Sequence, residues 1–252
     1  MAGFNPHPVI SAATLHKLLE SSIADIAELK TIYGRLPTTV CDRRTHCCAM
    51  LPESTFLEAL TALNRFRQES AAQRQRTLKK IVAYFFVNPV QITACPFLVK
   101  KQCIIYEDRF FGCRSYGLWS PQHYKKMARE NRRLKSVFRQ QWQSLGIRLP
   151  DEVIDFQQPY CLDVTRINGT DTDDKTLVRL TSDIEALSSR LSPWHQAFSR
   201  IYFTDLSFLT SAMIFDVDRL LKMKVDIVRE NVSTGTSKLL NDTLEYVSDF
   251  FS

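Results

Sequence analysis

Glycine is scarce in this chain, with seven residues in 252. Loops that cradle phosphate on backbone amides need glycine at fixed spacings. Neither G-x-G-x-x-G nor G-x-x-x-x-G-K-[ST] occurs. The G-x-S-x-G nucleophile elbow and the H-E-x-x-H metalloprotease helix are also missing. So is the C-x3-C start of a radical-cofactor motif. Long apolar runs are absent too. The longest, IVAYFFV from Ile81 to Val87, is far below the ~20 residues that span a bilayer, so no membrane partner is expected. MAGFNPHPVISAATLHKLLE has no basic segment leading into an apolar stretch, so no secretion signal is read there and a cytoplasmic protein is expected. Low-complexity tracts are lacking, and 44% of residues are hydrophobic, enough for a packed core rather than a disordered chain.

What the chain does have is cysteine. Six of its seven cysteines fall in two short segments without helical period. The first is Cys41-Asp-Arg-Arg-Thr-His-Cys47-Cys48, a C-x5-C-C block. The second runs Cys95-Pro-Phe-Leu to Cys103-Ile-Ile-Tyr-Glu-Asp-Arg to Cys113-Arg-Ser-Tyr. In a reducing compartment clustered thiols point to metal or redox chemistry rather than to disulfides. Thiolate is a soft donor that suits zinc and iron–sulfur clusters, and loops can fold several thiolates about one centre. Cys41, Cys47, Cys48, Cys95, Cys103 and Cys113 are therefore the expected metal ligands. Six exceed one four-ligand set. Two are spare, or the centre is multinuclear, or a redox pair sits beside the metal. Cys161 stands alone and reads as a buried thiol. His46 reads as a solvent-exposed side chain rather than a zinc ligand.

Around these blocks the sequence is mainly α, with the cysteine-rich loops embedded between helices and a helical bundle toward the C-terminus. Leu15, Leu18, Leu19, Ile23, Ile26 and Leu29 form one apolar face over 11–33. Further helices are expected at 53–67, 70–87, 120–145, 174–191, 194–228 with a break, and 236–251. Ser120-Pro121 gives a cap and a first-turn proline, and Gly146 a stop. The stretch Ile201 to Phe215 reads as the central buried helix, and Trp119, Trp142 and Trp194 as core or interface residues.

Charge divides the chain. Residues 1–150 carry a net +13 and residues 151–252 a net −7. We read a basic portion holding the cysteine site and an acidic portion packed against it, in two domains or one. Mutual attraction of the two portions is preferred to an anionic partner. The basic face of helix 120–145 (Lys125, Lys126, Arg129, Arg132, Arg133, Lys135, Arg139) reads as solvated, with nucleic acid not expected as a partner. Tyr124, Phe138 and Trp142 lie at core-like spacing on it.

The run CPFLVKKQCIIYEDRFFGCRSYG resembles the cysteine-cluster proteins of the YkgJ type, a family of zinc- or iron-chelating domains. The resemblance covers roughly residues 41–119. It is carried by Cys47, Cys48, Cys95, Pro96, Phe97, Leu98, Cys103, Ile105, Tyr106, Arg109, Cys113, Arg114 and Tyr116. Phe110 departs from the family's usual proline. A flagellin lysine N-methylase is a more distant likeness. The resemblance implies metal or cluster binding, with a [4Fe–4S] cluster or zinc as cofactor. Tyr106, Arg109 and Arg114 are expected to brace the loop and offset the charge of a thiolate-rich centre. The expected function is a metal-binding protein, structural or redox in role, with a possible protein partner. The alternative is a metal- or cluster-dependent protein-modifying enzyme such as a lysine N-methylase.

Overall fold

Side-chain caps set the helix starts. The computed structural model describes residues 9–41, 45–168 and 172–251, with the side chains of Cys41 and Asn168 outside that set. Ser11 accepts from the Thr14 amide and opens helix α1, Ala12–Ser21. The expected single helix over 11–33 then breaks at Ser22, which is fully buried, and resumes as α2, Ile23–Tyr33. Strand β1 is Thr38–Cys41. Thr55 and Glu58 form a reciprocal capping box at the start of α3, Phe56–Phe66. Ser70 caps α4, Ala71–Val87. A hairpin follows, β2 (Leu98–Val99) with β3 (Gln102–Cys103), and then the single turn α5, Phe111–Arg114. Ser120 and Pro121 begin α6, Pro121–Ser144, and Gly146 follows it with φ +74°.

The segment from Pro150 to Gly169, expected as irregular or short extended chain, holds the turn α7 (Asp151–Ile154) and strand β4 (Val164–Asn168). Strand β4 pairs antiparallel with β1, Val40 opposite Thr165 and Cys41 opposite Val164. Asp173 caps α8, Asp174–Ser189. The helix expected over 194–228 divides into α9 (Trp194–Arg200), α10 (Leu206–Ala212) and α11 (Val217–Thr234). The last helix is α12, Lys238–Glu245.

The break before α10 corrects the reading of Ile201 to Phe215 as one central helix. Phe203 and Thr204 take φ +53° and +56°, a left-handed conformation no α-helix accommodates. Asp205 then accepts from the Ser207 and Phe208 amides and restarts the chain. The central helix is instead α3. Its Phe56, Leu57, Leu60, Leu63 and Phe66 are all fully buried, each contributing about 1.5–3 kcal/mol of apolar burial. It packs against α1, α8 and α9, while α4 packs against α10, α11 and α12. The larger apolar cluster joins Ile10 to Val247 and so draws on both charged portions. Ion pairs cross between them as well: Arg35–Asp183 at 2.9 Å, Arg74–Asp249 at 2.7 Å and Arg139–Asp151 at 3.3 Å. Among the described residues no helix is long and apolar enough to cross a membrane.

Candidate metal centre

Thiols from three separated segments line one cavity of about 370 Å³. Cys47 and Cys48 lie on a 3-10 turn over His46–Cys48, with their Sγ atoms 3.8 Å apart. The Cys95 amide donates to the Cys48 carbonyl at 2.8 Å, so the two cysteine blocks are joined through backbone. Cys103 is in β3, held in register with Leu98. Cys113 rides on α5, whose start is pinned from the core. The Phe111 amide donates to Glu58 Oε1 at 2.6 Å, and the Tyr33 hydroxyl donates to the same oxygen at 2.9 Å. The other Glu58 oxygen accepts from Thr55 at 2.9 and 3.0 Å. One buried carboxylate thus ties α3, α2 and the cysteine loop together.

Five of the six sequence-predicted ligands, Cys47, Cys48, Cys95, Cys103 and Cys113, therefore share the cavity. Cys41 is placed in β1 opposite Val164, but its side chain lies outside the described residues. The sixth thiol at the cavity is Cys161, which the sequence presents as a lone buried thiol. It is buried, yet it reaches the cavity because β4 pairs with β1 and draws the chain before Val164 over the site. A signal was present: Cys161 lies three residues before Val164-Thr165-Arg166-Ile167, a strand-like run with three β-branched residues. His46 also lines the cavity, and its carbonyl accepts from Gln158 Nε2 at 3.1 Å.

Tyr106, Arg109 and Arg114 line the wall and brace the loop. The Arg109 guanidinium sits 3.9 Å over the Tyr106 ring and donates to the Tyr106 carbonyl at 3.3 Å. Arg114 lies 4.3 Å over the Tyr33 ring, donates to the Arg109 carbonyl at 2.9 Å and also to the Glu107 carbonyl.

The thiols influence one another electrostatically. Donation from the Cys48 thiol, with help from Arg109, lowers Cys47 to about 7. The same contact, then burial, then neighbouring thiolates raise Cys48. Burial, reinforced by Cys103 and Cys47, raises Cys95 to about 12. Burial also raises Cys103, against the pull of Arg109, and it raises Cys113 well above a free thiol, with Cys95, Cys47 and Cys103 adding to the effect. Without a cation the cavity therefore favours neutral thiols at Cys48, Cys95, Cys103 and Cys113. Among the described residues no three His, Cys, Asp or Glu side chains converge closely enough to hold a single metal ion.

No family model, curated protein or solved structure matches the chain.

Proposed function

We propose that the chain is a metal-binding protein whose thiol-lined cavity takes an iron–sulfur cluster, structural or redox in role. The observation behind this is the distribution of six thiols around one cavity, Cys47 and Cys48 among them with their sulfurs 3.8 Å apart. Zinc, at about 2.3 Å from each sulfur, needs its four thiolates about 3.8 Å from one another, and among the described residues no three His, Cys, Asp or Glu side chains are gathered for one ion. A cluster interposes its own iron and sulfide between the ligating sulfurs, so thiols spread around a cavity suit it better. Four ligands would come from Cys47, Cys48, Cys95, Cys103 and Cys113, with Cys161 a further donor at the same wall. Arg109 and Arg114 would offset the negative charge of the thiolates. When bound, such a cluster supplies one-electron chemistry or holds the loops together. The likeness of residues 41–119 to the YkgJ type supports the same reading.

Single Cys→Ser changes test it. C95S, C103S and C113S are each expected to lower retained iron by more than about tenfold, beyond the effect of an outer-shell change, with helical circular dichroism kept. Unchanged iron in all three would overturn the assignment.

A further inference from the structure

A second cavity, of about 450 Å³, lies beneath α6. That volume is in the range of small-molecule sites. A helix of 24 residues ordinarily buries a full apolar stripe, yet Trp142 is the one buried residue of α6. The sequence placed Tyr124 and Phe138 in the core with it. Instead Phe138 is 37% exposed and both line the opening under the helix. Met127, Trp119, Ile154 and Phe156 complete the apolar walls. Ring faces are prominent among them: Trp119 stacks on His123 at 4.1 Å and 16°.

The charge at this cavity is of one sign. Arg132 and Lys135 line it, and no Asp or Glu does. Arg132 has no ion-pair or hydrogen-bond partner among the described residues, and Lys135 donates only to the Phe156 carbonyl. Partial burial disfavours the charged form of Lys135, against the pull of Asp155, and an anion in the cavity would favour that form further. Cavity walls of aromatic and aliphatic side chains, with two cations among them, suit a flat apolar body bearing an acid group.

We infer that the cavity under α6 binds a small aromatic carboxylate, with its ring against Trp119, Tyr124 and Phe138 and its carboxylate toward Arg132 and Lys135. Tyr116 lines this cavity and the thiol cavity alike, and Ala49 and Met50 follow Cys48 into its wall. The ligand would lie one side chain away from the thiols. The site stands on its own residues, whatever occupies the thiol cavity.

The test is calorimetric titration of the full chain as purified with 2-naphthoate and with the neutral 2-naphthalenemethanol. Saturable one-to-one binding of naphthoate below about 1 mM is expected. The alcohol is expected to bind at least about tenfold more weakly. R132Q/K135Q is expected to lose at least about tenfold in naphthoate affinity, while R133Q, on the same helix outside the cavity, keeps it. Thermal melts of both variants confirm that they fold. Absence of naphthoate binding, equal binding of the alcohol, or unchanged affinity in R132Q/K135Q would overturn the inference.

Discussion

Gly117 shows how closely the thiol site is packed. It takes φ +84°, and a Cβ there would lie 2.7 Å from Val164 Cγ2 and 3.4 Å from Cys161 Cβ. A side chain would meet both an unfavourable backbone conformation and a wall that cannot recede without moving β4. G117A is expected to cost about 2–3 kcal/mol in urea unfolding, with Cys161 becoming more reactive to alkylation. A cost within a few tenths of a kcal/mol would show that β4 does not press on the loop. Lys224 carries a different strain. Burial lowers its pKa to about 8, against the pull of Asp205, while it donates to Asn88 at 3.2 Å and lies 4.0 Å over the Phe85 ring. The folded state then holds fewer protons than the unfolded state between about pH 8 and the ordinary lysine value of 10.5. The penalty is full below pH 8 and fades as pH rises through that window. Stability of the wild type relative to K224M is expected to rise by about 2 kcal/mol between pH 8 and 10.5. A flat difference across that range would contradict it. These two features differ in legibility. Cysteine clustering is local and visible in the sequence, whereas the approach of Gly117 to Cys161 exists only through the non-local pairing of β1 with β4.

At the level of elements, the start of α6 was legible and so was a break within 194–228, but the places where helices break were not. Ser120-Pro121 announces α6 because a cap is chemistry in one or two residues. The apolar spacing runs straight through Ser22 and through Phe203-Thr204, so periodicity alone could not show that the chain turns there. The exposed stripe of α6 failed for a related reason: spacing tells which residues share a face, not whether anything covers it. Glu58 acts at the scale of elements. Its capping role is local, but its bond to the Phe111 amide reaches 53 residues along the chain. E58A is expected to cost about 3 kcal/mol, since it removes a cap and leaves buried donors unpaired. It should also loosen α5 enough to raise hydrogen exchange at Phe111 to Ser115. Loss of stability without faster exchange there would mean that α5 is held by packing alone.

Across the whole molecule, the charge asymmetry resolves into contact. Arg74 and Asp249, 15% and 12% exposed, pair at 2.7 Å where α4 meets the chain after α12. Residues from both portions fill one core. That framework encloses the cysteine loops: α3 supplies Glu58, α2 supplies Tyr33, and β4 carries the chain of Cys161 over the site. The most direct measurement is iron, zinc and acid-labile sulfide content of protein purified without oxygen, together with its visible spectrum. Iron with matching sulfide and a broad visible thiolate-to-iron band is the expected result. One zinc without sulfide would contradict the cluster, and no metal with every thiol freely reactive would contradict the centre itself.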